Sequence, residues 1–201
     1  MKTLILSILA FILLNACSKR PDKLPILGER EFVHGDTVYS TIRPFSFTNQ
    51  DSQEVTNASF KDKCYVVDFF FTHCPTICPK VTKQMLRIYD KYKKDDRVML
   101  MAFSIDTRND TVGRLKAYEK GLGVSSKKWH FVTGQQDSIY SIAADYYSIA
   151  NADKESPGGF NHSGRLILVD KKQRVRSFCD GTDAKDVDRF MTDIDVLLDE
   201  K

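Results

Sequence analysis

A chain of 201 residues, 42% hydrophobic, 28% charged and 11% aromatic, has room for one ordinary globular core plus a short extension, and its composition excludes a disordered or fibrous protein. A formal net charge of +3 is too small to make nucleic acid an expected partner, and the charged runs at 91–97 and 170–176 read as solvated surface.

The first residues differ in kind from the rest. Lys2 precedes an uncharged apolar run over 4–14, shorter than the roughly 20 residues a membrane-crossing helix needs, and Asn15-Ala16-Cys17-Ser18 follows. This pattern reads as a secretory signal over 1–16. A small residue directly before a cysteine resembles a bacterial lipobox, with Asn15 an uncommon member; an ordinary signal peptide or an uncleaved anchor is the alternative. The lipobox resemblance implies that Cys17 is the first mature residue and is lipidated, with more than one acyl chain for stable anchoring. The expected location is the bacterial cell envelope, lipid-anchored to a membrane and facing the periplasm, where disulfides persist.

Residues 17–42 are polar, contain Pro21 and Pro25 and keep no period, so they are expected to be a tether with one short strand near 37–40. The globular domain is expected over 43–201. It opens with a hairpin whose strands are 45–48 and 54–56, separated by the turn residues 49–52. Tyr65-Val66-Val67-Asp68-Phe69-Phe70-Phe71 is nearly all β-branched or aromatic, as in a strand buried on both faces. Val81, Met85, Ile88, Tyr89 and Tyr92 recur at helical spacing, a strand over 98–105 follows, and Asp110-Thr111 offers a cap for a helix carrying Val112, Leu115 and Tyr118. A short strand at 129–132, a helix over 137–146 and an irregular loop over 151–163 come next. The chain closes with strands 165–170 and 174–178 and a helix over 183–200. Alternating strands and helices with a terminal hairpin imply an α/β fold with a mixed central sheet covered on both faces.

The chemistry-bearing stretch is Phe71-Thr72-His73-Cys74-Pro75-Thr76-Ile77-Cys78-Pro79. Cys74 and Cys78 stand one helical turn apart at an expected helix start, where unpaired N–H groups and the helix dipole favour thiolate. Such a pair can coordinate a soft metal ion or cycle through a disulfide, and both chemistries stay open on the residues alone. His73 reads as a strand-end residue, His34 and His130 as surface or structural, and Met85, Met99 and Met101 as packing. Cys64 and Cys179, at strand edges, are either small buried hydrophobes or a bridged pair.

This stretch resembles the Sco family, also called SenC, on a thioredoxin-like layout. Ser104-Ile105-Asp106-Thr107-Arg108-Asn109-Asp110-Thr111 is similar to the family's Ser-x-Asp-Pro-x-x-Asp-Thr segment. Asn161-His162-Ser163 before 166–170 is similar to its histidine-bearing loop. Thr107, Val112 and Asn161 depart from the family's commoner residues. The resemblance implies a thioredoxin-like three-layer fold with an N-terminal hairpin extension and a C-terminal helix. It also implies Cys74, Cys78 and His162 as ligands for copper, as Cu(I) and Cu(II), and a partner-facing region at Asp106. The implied function is a membrane-tethered copper metallochaperone, not strictly an enzyme, for the binuclear copper centre of cytochrome c oxidase subunit II or a related oxidase. Further implied partners are another copper chaperone or a thiol reductant. The alternative is a periplasmic thiol-disulfide oxidoreductase using Cys74 and Cys78 as its redox pair.

Overall fold

A computed structural model describes residues 22–200; the expected signal segment and Cys17 lie outside the described residues. Strands β1 (Arg30–Val33) and β2 (Asp36–Tyr39) form a separate antiparallel hairpin, and β3 (Ser46–Asn49) and β4 (Glu54–Thr56) a second one. The centre of the fold follows as β5 (Cys64–Phe70), α1 (Cys78–Tyr92), β6 (Val98–Ser104), α2 (Val112–Leu122) and β7 (Trp129–Thr133). Helix α3 (Gln136–Ala143) leads into a small antiparallel pair, β8 (Ala150–Ala152) with β9 (Phe160–His162). The chain ends in the hairpin β10 (Arg165–Val169) and β11 (Val175–Asp180), then α4 (Ala184–Asp199).

Seven strands make one mixed sheet in the order β11-β10-β5-β6-β7-β3-β4. β5 lies at its middle, parallel to β6 from Cys64↔Val98 to Phe70↔Ser104 and antiparallel to β10. All seven of its residues are buried, which is why the segment carries almost nothing but large apolar side chains. Tyr65 and Phe69 meet Phe60, Phe103 and Tyr146 on one face. Phe70 meets Tyr118 and Phe131 on the other. On that second face α1 reaches Tyr118 of α2 through Thr82, and Tyr92 of α1 bonds Met191 of α4. The parallel strands therefore end together at one end of the sheet, which we call the upper end, and the cysteine stretch leaves β5 there.

Two segments differ from expectation. Residues 22–42 lie along the domain: Leu24 and Ile42 are buried, and the Leu27 and Ile42 N–H groups donate to the carbonyls of Val175 and Gln173 at 2.8 Å each. The strand expected near 37–40 has a partner, β1, because His34 and Gly35, both at positive φ, close a two-residue turn matched to strand twist. The irregular loop over 151–163 contains a paired register, Ala150↔His162 to Ala152↔Phe160, so His162 sits on a strand. Cys64 and Cys179 are free and buried, two strands apart in the sheet and offset along it, beyond the about 7 Å Cα separation that a disulfide spans.

Candidate metal centre

α1 begins at Cys78, with Pro79 in its first turn, where a missing N–H costs no helical bond. Cys74 therefore lies one turn ahead of the helix, in the loop, and not at its boundary as the spacing suggested. The helix end still reaches it, since the Cys78 N–H donates to Cys74 Sγ at 3.4 Å. His162 Nε2 lies 3.8 Å from Cys74 Sγ and 3.5 Å from Cys78 Sγ. The three donor atoms are all within 4.8 Å of one another, and among the described residues they form the one such group of three. Bonds of about 2.0–2.3 Å to sulfur and nitrogen would place an ion inside this triangle without rearranging the donors.

The two thiols differ electrostatically. At Cys74 burial works to raise the pKa, but backbone N–H groups of Thr76 and Cys78 outweigh it and the net shift is downward. At Cys78 burial dominates, with Cys74 and the buried Asp68 adding negative charge nearby, and the thiol is pushed up. Cys74 is thus the sulfur that ionises readily, whereas the shared helix terminus alone would have predicted two similar thiolates. Burial also lowers the His162 pKa, keeping the ring neutral and its lone pair available. His162 Nδ1 is buried and has no hydrogen-bond partner among the described residues, so no acceptor behind the ring pins it. Its plane is held instead by Phe71, edge-on at 5.8 Å, and Phe71 packs against Phe160 of the same strand.

Gly158 brings the His162 hairpin down onto the cysteine loop. At φ +80° it occupies a region unfavourable to side chains, and a Cβ there would fall 2.7 Å from Phe71 Cζ and 3.2 Å from Pro75 Cδ. From the other side the loop is braced by Asp110, whose place beside Thr111 in the sequence suggests a helix cap. Its fully buried carboxylate accepts from Thr72 N (3.0 Å), Thr72 Oγ1 (2.5 Å) and Ser104 Oγ (2.6 Å). Thr111 supplies the α2 cap, and Arg114, a turn into the helix, donates to Thr72 Oγ1 and contacts His73. A Thr-x-Cys separated by some forty residues from an Asp-Thr cap carries no local signal for this brace.

The remaining candidates fall elsewhere. Asp106, expected to face a partner, is instead buried and accepts from the Asn109 side chain at 2.8 and 3.0 Å, leaving Arg108 and Asn109 as the exposed residues of that turn. His130 is half-buried beside Asn49 and Phe60, and His34 occupies the β1–β2 turn. Met85, Met99 and Met101 are core.

Comparison with known proteins was consistent along nearly the whole domain. Residues 34–198 match the SCO1/SenC family. A SCO1/SenC family lipoprotein from Bacillus anthracis superposes with a TM-score of 0.72 at 26% identity, covering 79% of this chain and 95% of that one. BsSco, a member of the Sco family of cytochrome c oxidase assembly proteins in which a disulfide switch was identified, gives 0.65 at 29% identity, covering 78% and 92%. Copper-bound ScoI of Arabidopsis thaliana gives 0.63 at 28%, covering 77% and 94%. With its thioredoxin-like mixed sheet and a family match that takes in the cysteine pair and His162, this chain belongs to the SCO1/SenC family.

Proposed function

We propose that this protein is a copper metallochaperone, binding Cu(I) through Cys74, Cys78 and His162 and holding Cu(II) with a further ligand, for assembly of the copper centre of cytochrome c oxidase subunit II or a related oxidase. The observation that carries the reading is the convergence of two thiols and one neutral imidazole at the upper end of the sheet, within 4.8 Å of one another. Soft sulfur donors select Cu(I), and three donors suit its low coordination number. The copper-bound plant relative and the oxidase-assembly relative support the cargo and the pathway. His162, with no partner on Nδ1 among the described residues, is the ligand most readily released, so partner thiols displace it first. The lipobox-like Cys17 supports a membrane tether, as does the lipoprotein relative; no described helix is long and apolar enough to cross a membrane.

The test is a competition titration of the reduced protein with Cu(I), alone and as His162→Ala. Binding no tighter than to a simple dithiol, unchanged by the substitution, ends the chaperone reading.

A second reading rests on the unequal thiols. The Cys74 thiolate attacks a target disulfide, expelling one target thiolate and forming a mixed disulfide. Cys78, after losing its proton, then displaces the second target sulfur, leaving a Cys74–Cys78 disulfide and a reduced dithiol. The disulfide switch in BsSco supports it. Activity retained in His162→Ala but lost in Cys74→Ser would favour this role.

A further inference from the structure

We propose that the lower end of the domain is a docking surface for anionic phospholipid headgroups, which holds the metal centre facing away from the bilayer. The argument begins with where the chain enters. Arg176, 2% exposed, donates to the carbonyls of Leu24 and Pro25, and Glu200 accepts from both Arg176 and the Leu24 N–H. This buried clamp pins the first described residues to the lower end, beside the start of β5. The cysteine pair lies beyond the other end of β5, whose seven residues span roughly 20 Å. From Asp22 back to Cys17 there are five residues, a reach of at most about 18 Å. An acyl group on Cys17 therefore brings this end, and no other, to the membrane surface.

The charges at this end match that position. A groove of about 390 Å³ opens there, lined by Cys64 and the clamp residues Arg176 and Glu200, away from Cys74 and Cys78. Its arginines are paired: Arg97 with Asp95, Arg174 with Asp170, and Arg176 with Asp170 and Glu200. Its lysines are not. Lys23, Lys171 and Lys172 are exposed on the groove wall, and Lys61 and Lys63 flank it on the loop into β5; none has an ion pair among the described residues. Asp62 is the one acid of the wall without an ion pair among the described residues. Apart from Asp62, the acids of the rim are thus engaged with arginines, of which Arg176 is buried, Arg174 half-buried and Arg97 exposed, and the lysines remain available to an external anion. An anionic membrane attracts each nearby lysine enough to change partitioning about fivefold, with the effect screened by salt.

The position rests on the Cys17 tether read from the sequence; the charge does not, and the experiment separates the two. The full-length chain is reconstituted in vesicles of phosphatidylcholine, alone or with phosphatidylglycerol, containing a dansyl headgroup lipid. Trp129, the one tryptophan of the chain, starts β7 at the lower end and is the energy donor. Transfer is expected to be higher with phosphatidylglycerol, and to fall to the phosphatidylcholine level in 0.5 M salt or in Lys171→Glu/Lys172→Glu. In parallel, Cys17→Ser, which can carry no lipid, keeps a preference for phosphatidylglycerol vesicles at low salt, and the two lysine substitutions reduce that preference at least tenfold. Equal transfer in both vesicle types, or a preference the lysine substitutions leave intact, overturns the proposal. Mass spectrometry of wild-type Cys17 reads the tether independently: an unlipidated Cys17 with the lysine-dependent preference intact discards the anchor and keeps the docking face. Lys171 and Lys172 are exposed turn residues, so unchanged thermal unfolding of the variant verifies that charge alone was altered.

Discussion

Replacing Asp110 with asparagine tests whether the metal loop is held from beneath. The carboxylate accepts three hydrogen bonds, two of them from Thr72, two residues before Cys74. An amide keeps one acceptor oxygen but turns the other position into a donor, so the charge-assisted bonds are weakened and Thr72 Oγ1 or Ser104 Oγ must reverse its hydroxyl or lose its partner. Ser104 is fully buried, and a buried unsatisfied group costs about 1–3 kcal/mol. Urea unfolding should therefore show a loss of about 1–3 kcal/mol with an unchanged slope. Freed from Asp110, the Thr72-His73-Cys74 segment must be ordered at the expense of ligand binding, and Cu(I) affinity should fall on the order of tenfold, about 1.4 kcal/mol. Affinity equal to wild type in a variant that has lost the expected stability would refute the brace and leave Asp110 a purely structural residue.

Three other outcomes follow from the geometry. Gly158→Ala places a Cβ against Phe71 and Pro75 at a positive φ costing about 1–2 kcal/mol, so the His162 hairpin should lift and Cu(I) affinity drop at least tenfold, read by the same titration. Iodoacetamide should modify Cys74 of the reduced protein before Cys78, Cys64 or Cys179, because burial raises all three of the others, Cys64 to about 12; peptide mapping that finds Cys64 first would contradict the electrostatics. Asp68 is pushed by burial to about 7 from 3.8, and one of its oxygens has no partner among the described residues. The unfolded chain loses this proton first, so stability should fall as pH rises from about 4 to 7 and level off above, by about 4 kcal/mol at most. Asp68→Asn should remove that slope and gain most at pH 7 or above; a parallel pH profile in wild type and variant would exclude Asp68 as its origin.

Local chemistry and periodicity were legible at the centre of the fold. An unbroken β-branched and aromatic run can be buried only in a central strand, and residues 65–71 carry β5 for that reason. Helical spacing marked α1, α2 and α4, and the cysteine spacing marked a site at a helix start. Boundaries were less visible: Cys74 stands a turn before α1 because the helical bonds begin at Ile77, which spacing alone does not register. The β1–β2 hairpin was half-read, since its first strand is short and exposed and lacks any apolar alternation.

Neither the closing of the site nor its asymmetry lies in any local pattern. His162 stands 88 residues from Cys74, and only the packing of β9 on Phe71, with Gly158 against Phe71 and Pro75, brings its nitrogen to both sulfurs. The Asp110 brace depends on β6 delivering its following turn beside the end of β5. The unequal thiols depend on which sulfur is buried near Asp68 and which meets helix N–H groups. Sequence by itself determined the residue types able to make a strand, a helix and a pair of soft donors. Tertiary structure decided which donor joins them and which thiol ionises, because distance and burial are properties of the folded chain and not of spacing along it.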